Sequence, residues 1–146
     1  MKLLLIRLLL VFLFLLPFVA AAETIAVVVN ANNGVEALSR DEVINIFLGR
    51  FRQFPSGVAA QPIDLPDTHP ARAAFYRRLV NKNPAEINAY WARLIFSGRT
   101  SPPLTTVRFD DVFNLVQSTP GGISYMERSK VGGRLKIVFE LPEQGP

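Results

Sequence analysis

Apolar positions along this chain follow two periods, and those periods predict the elements. Residues 24–30 (TIAVVVN) form a nearly unbroken β-branched run, the pattern of a strand covered on both faces. Residues 30–34 are turn chemistry. Ser39 and Glu42 have capping-box spacing, and Val43, Ile44, Phe47 and Leu48 recur on one face of a helix that Gly49 stops.

The stretch QPIDLPDTHPARAAFYRRLV, residues 61–80, organises the rest. It predicts a short buried strand at 62–65, a polar turn at 67–69 and a helix opened by Pro70. Proline suits that position because its missing N–H would be unpaired there anyway. Ala71, Ala74, Phe75 and Leu79 make the inner face. Asn83-Pro84-Ala85-Glu86 opens a further helix with cap, proline and acid in the preferred places. Ile87, Trp91, Leu94 and Ile95 form its main stripe, Tyr90 and Phe96 widen it, and Gly98 ends it.

Residues 101–106 read as a proline-containing connection. Asp110 and Asp111 favour the start of a helix running through Val116. Pro120-Gly121-Gly122 turns into a short strand at 123–126, and residues 135–139 (LKIVF) are the last strand. The order is strand, helix, strand, three helices, two strands. It predicts an α/β domain with an at least partly parallel sheet flanked by helices.

Residues 1–22 stand outside that pattern. Lys2 and Arg7 precede an apolar run at 8–19, and Ala20-Ala21-Ala22 follows. This is the three-part layout of a secretory signal, with cleavage expected between Ala22 and Glu23. A membrane anchor is the competing reading. The run is short for a span of about 20 residues, and no basic stop-transfer cluster follows. The expectation is therefore one domain at 23–146, exported to the periplasm, with no membrane anchor after cleavage.

The net charge of +4 falls by two when Lys2 and Arg7 leave. Residues 23–49 are acidic, with Glu23, Glu36, Asp41 and Glu42 against Arg40. Residues 50–99 carry eight basic residues against Asp64, Asp67 and Glu86. An electropositive middle favours an anionic ligand or partner. Nucleic acid is not expected, because the chain has no basic run or reading motif. The loop RFRQFPSG interleaves arginines with aromatics, which either pin it to the core or meet an anionic partner.

The chain has no cysteine and one histidine, which leaves no cysteine or histidine metal set. No glycine-rich phosphate loop, GxSxG or metal spacing is present, and no cofactor or enzymatic activity is expected. The strand-to-helix turn is the candidate site: Asp67, Thr68, His69 and Arg72. Helix N-termini attract anions, and the Arg72 fork suits phosphate or carboxylate. The same turn also reads as a capped helix with a surface arginine.

Four stretches resemble the phosphate-binding-protein-like family of periplasmic solute receptors. They are VVVNANNGVEALSRDEVINIFLGR, DTHPARAAFYRRL, NAYWARLIFSGR and TPGGISYM. The likeness is to one lobe of a type II periplasmic-binding-protein-like fold, whereas the full receptors close two lobes on phosphate. Within the family's ligand turn, Asp67, Arg72 and Phe75 match its Asp, Arg and aromatic. His69, Pro70 and Ala71 occupy its Ser, Gly and Thr positions, so two hydroxyl donors and one N–H are lost, and Thr68 offers one hydroxyl nearby.

The resemblance implies a solute-binding module that holds phosphate or another small anion weakly at Asp67, Thr68, His69 and Arg72. It implies a membrane transporter or sensor as partner, and a homodimer is compatible with it. The other reading is a periplasmic interaction or adaptor protein that kept the lobe and lost the ligand.

Overall fold

The computed structural model describes residues 23–143. The expected leader, residues 1–22, lies outside the described residues, as do 144–146. The elements in chain order are β1 (Ile25–Asn30), α1 (Arg40–Phe47), β2 (Gln61–Asp64), α2 (Pro70–Val80) and α3 (Pro84–Phe96). After them come β3 (Leu104–Thr105), α4 (Phe109–Ser118), β4 (Gly122–Glu127), a 3-10 turn (Arg128–Lys130) and β5 (Leu135–Leu141).

The five strands form one mixed sheet in the order β3-β2-β4-β1-β5. β2 runs parallel to β3 and β4, whereas β1 runs antiparallel to β4 and β5. The β-branched run explains the interior position of β1, between β4 and β5, since all six of its residues are buried. Ile25, Val27 and Val29 join a large apolar cluster with Phe47, Phe75 and Trp91. Ala26 and Val28 point the other way, into a smaller cluster with Met126 on which Phe109 and Phe113 pack. A strand with apolar side chains on both faces must be covered on both, and here it is.

Local chemistry fixes the joints. Ser39 Oγ accepts from the Glu42 N–H at 3.2 Å and Glu42 Oε2 accepts from the Ser39 N–H at 2.7 Å, completing the predicted capping box of α1. Asn30, at the end of β1, donates to the Val116 and Gln117 carbonyls and so closes the C-terminus of α4. Gly121 lies so close to β2 that a Cβ there would sit 1.9 Å from the Ala59 carbonyl oxygen. The Gln61 N–H donates to the Gly121 carbonyl at 2.8 Å, which locks the turn before β4 onto the start of β2.

Two expectations need correction. The connection at 101–106 contains the edge strand β3, whose two residues pair with Ile63 and Asp64. Two residues after Pro102 and Pro103 are too few to show a strand period. The stripe of α3 is also shorter than predicted, because only Ile87 and Trp91 are buried. Ile95 is 55% exposed and Phe96 97%. Phe96 lies five residues beyond Trp91, which turns it about 140° away from the core-facing side. Ile95 shares the face of Trp91, but the core ends one turn earlier.

Candidate functional site

Asp64 closes β2 between two buried apolar residues, Ile63 and Leu65, and is itself 3% exposed. A carboxylate in that position must be fully paired, because its desolvation otherwise costs several kcal/mol. Four donors meet it. Oδ1 accepts from the Leu65 N–H at 2.9 Å and from the Tyr125 hydroxyl. Oδ2 accepts from Arg72 Nε at 3.3 Å and from the Tyr76 hydroxyl at 2.9 Å.

The fold explains the convergence. Arg72 and Tyr76 stand one turn apart on α2, so both reach the end of β2. Tyr125 comes from the adjacent β4, and its ring stacks on Phe75 with centroids 3.7 Å apart. The phenol groups are held in their neutral form. Burial, then the Asp64 charge, pushes both tyrosine pKa values well above the ordinary range. For Arg72, burial is the largest single influence and opposes the charge, but Asp64, Tyr76, Tyr125 and Asp67 together outweigh it and leave the pKa raised.

The rest of the Arg72 guanidinium meets Asn88 and Asp67. Nη2 donates to Asn88 Oδ1 of α3 at 3.2 Å. Nη1 lies 3.5 Å from Asp67 Oδ1 and completes no hydrogen bond, although it is buried. Arg72 therefore keeps one unsatisfied donor. It lines a cavity of about 310 Å³ together with Asp64, Asp67, Asn88, Trp91 and Thr105.

Among the residues expected from the sequence, Asp67 and Arg72 meet at this cavity. Thr68 is exposed, forms no hydrogen bond among the described residues and does not line the cavity. His69 caps α2, with Nδ1 accepting from the Ala71 N–H at 3.2 Å, and its ring stacks on Phe109 at 5.3 Å. The expected free N–H groups after Pro70 need correction. Ala71 N–H is spent on the His69 ring and Arg72 N–H on the His69 carbonyl at 3.0 Å. Arg72 is likewise no surface arginine, being 4% exposed.

Sequence reasoning missed Asp64, Tyr76, Tyr125 and Asn88. The one available signal was a carboxylate between Ile63 and Leu65 in an otherwise buried strand. Among the described residues, no group of three or more His, Cys, Asp or Glu side chains is placed to hold a metal ion. No helix among them is long and apolar enough to cross a membrane.

No protein-family model matches the chain. No curated protein matches it either. Solved structures do. A Clostridium perfringens protein assigned as a phosphate ABC transporter substrate-binding protein, solved with phosphate bound, superposes with a TM-score of 0.63 at 18% identity. The match covers 81% of this chain and 45% of that one. An ABC-type phosphate transport receptor of Vibrio cholerae gives 0.63 at 15% identity, covering 81% and 46%. A Planctomyces limnophilus protein proposed to bind phosphate gives 0.54 at 13% identity, covering 81% and 42%.

The fold is similar to that of part of each of these proteins. It is the α/β arrangement expected from the sequence, with a mixed sheet flanked by helices. The chain spans less than half the length of each receptor. At these identities the likeness establishes architecture and leaves the site to be argued from its own residues.

Proposed function

We propose that this chain is an exported, periplasmic solute-binding module that holds a small oxyanion of the phosphate type, weakly, beside the start of α2. The observation that carries the reading is that Arg72 lines a cavity and its buried Nη1 has no hydrogen-bond partner. A buried N–H without a partner is costly, and an oxyanion oxygen would satisfy it. Asp67 would accept a proton from a protonated oxygen of the ligand. Thr68 and the outer edge of His69 would be reached by a ligand extending past Asp67. The role is binding rather than catalysis, and a membrane transporter is the class of partner that the likeness to the receptors supports.

Two features keep the expected affinity low. Asp64 already neutralises Arg72, and Asp67 adds a negative charge that is 67% exposed. The first-turn N–H groups, which strengthen many anion sites, are occupied. Calorimetric titration with phosphate, sulfate and acetate tests the reading, using unmutated protein and Asp67→Ala. Weak phosphate binding that falls with added salt is expected. Asp67→Ala should weaken phosphate and improve sulfate, which has no proton to give at neutral pH. Absence of heat with all three anions would overturn the proposal.

A further inference from the structure

A second surface, which shares Ile95 and Pro102 with the anion cavity but none of its charged residues, carries unmet chemistry of its own. It lies around the loop after α1, the C-terminal end of α3 and the edge strand β3. Three grooves adjoin there, of about 370, 790 and 420 Å³, and Arg52 lines all three. Phe51 and Leu104 border the first and Arg50 the second, while Ile95 and Arg99 border the third.

The apolar members are open to water. Phe51 is 48% exposed, Ile95 55% and Leu104 57%, and the neighbouring Phe96 is 97% exposed. Exposed large apolar residues scattered singly need no explanation, but a contiguous set around concave surfaces marks an interaction site. The charged members are unspent. Among the described residues, none of Arg50, Arg52 and Arg99 lies within salt-bridge distance of a carboxylate. Arg50 has only a 3.4 Å contact to Asn45 Oδ1. Glu42 also borders the largest of the three grooves, where its Oε2 accepts from the Ser39 N–H, and the three guanidinium groups outnumber its one negative charge.

We propose that this face docks a segment of a partner protein in which carboxylates alternate with large apolar side chains. Charge complementarity selects the acidic partner, since three unpaired guanidinium groups border the apolar grooves. Each cation on the face is arginine and none is lysine. Arginine's planar fork pairs carboxylates bidentately and is enriched where protein interfaces are desolvated. Concavity separates a protein segment from a membrane: a bilayer engages protruding apolar groups, whereas side chains of a partner fill hollows. The proposal does not depend on the anion site.

The test uses a fluorescein-labelled peptide of alternating glutamate with leucine and phenylalanine, followed by fluorescence anisotropy on the purified protein. Its lysine-for-glutamate counterpart and vesicles of phosphatidylglycerol or phosphatidylcholine are measured alongside. The acidic peptide should bind, and salt should weaken it. The double variant Arg52→Glu, Arg99→Glu should lower its affinity at least about tenfold, as should Phe51→Ser with Leu104→Ser. Arg108→Glu, on a separate exposed arginine beside Asp110, should leave it unchanged. Urea midpoints for each variant confirm that the fold persists, and phosphate titration of the arginine variant should match that of the unmutated protein. The proposal falls if the acidic peptide does not bind, or if the lysine peptide binds equally well. Preferential binding to phosphatidylglycerol vesicles would also overturn it and identify a membrane surface instead.

Discussion

Arg72 and Asp64 neutralise each other inside the protein: Nε lies 3.3 Å from Oδ2, and the two side chains are only 5% and 4% exposed. This pairing makes Arg72 part of the scaffold as well as the wall of the candidate site. Removing one member of a buried ion pair strands the other, at a cost of about 3–5 kcal/mol. Arg72→Ala should therefore lower the urea-unfolding free energy by about that amount. Arg72→Met combined with Asp64→Leu should lose clearly less than the sum of the single changes, because no charge is left unpaired. Additive losses would show that the two side chains act independently. The same result warns against reading Arg72→Ala as a test of ligand binding, which is why Asp67→Ala serves there.

Gly121 offers a test of how β4 meets β2. An alanine Cβ would stand 1.9 Å from the Ala59 carbonyl oxygen, and that atom belongs to backbone that cannot step aside cheaply. Gly121→Ala should destabilise by about 3 kcal/mol or more, in the range of severe core disruptions. Gly132→Ala meets nothing within 4 Å and should be close to neutral by the same thermal-unfolding measurement. Equal effects at both positions would mean that the turn before β4 is free to move.

The helices and every strand except β3 are legible because their signals are local. Ser39 with Glu42, Asn83 with Pro84 and Glu86, and the run from Ile25 to Val29 each announce themselves within a few residues. What escaped was assembled across distance. Asp64 and Tyr125 are separated by 61 positions, and only the β2–β4 pairing brings them together. The turn at Asp67 to Arg72 could be located in the sequence, but the fate of its N–H groups could not. A histidine side chain capping its own helix competes with any ligand, and that contest is decided by rotamer geometry. The apolar stripe of α3 was over-read at Ile95 and Phe96 because periodicity reports which residues share a face, not how far the core extends along it.

Trp91 and Phe96 sit five residues apart on α3 and should respond oppositely. Trp91 is 6% exposed and packs against the position of Gly49, where a Cβ would come within 2.8 Å of its ring. Trp91→Ala should cost about 3–5 kcal/mol, as truncation of buried aromatics does. Phe96→Ala, at 97% exposure, should change stability by less than about 0.5 kcal/mol. Denaturant unfolding of the two variants settles whether the core ends where the buried residues say it does.

Tyr76 and Tyr125 give the fold a dependence on alkaline pH whose sign follows from their surroundings. Burial and the adjacent Asp64 raise both pKa values well above the ordinary tyrosine value. The folded state therefore holds these protons more tightly than the unfolded chain, whose tyrosines titrate near about pH 10. The stability this contributes is complete below about pH 10 and is lost as pH rises through the folded-state values. Tyrosinate absorbance from these two residues should then appear only with unfolding, in one cooperative step with the loss of helical circular dichroism. Tyr76→Phe should start from lower stability, because Asp64 loses a donor worth about 1–3 kcal/mol when left unpaired. Its stability should nevertheless fall less steeply above about pH 10, since one of the two coupled protons is gone. A Tyr76→Phe profile parallel to that of the unmutated protein would rule out this hydroxyl as a source of the alkaline loss.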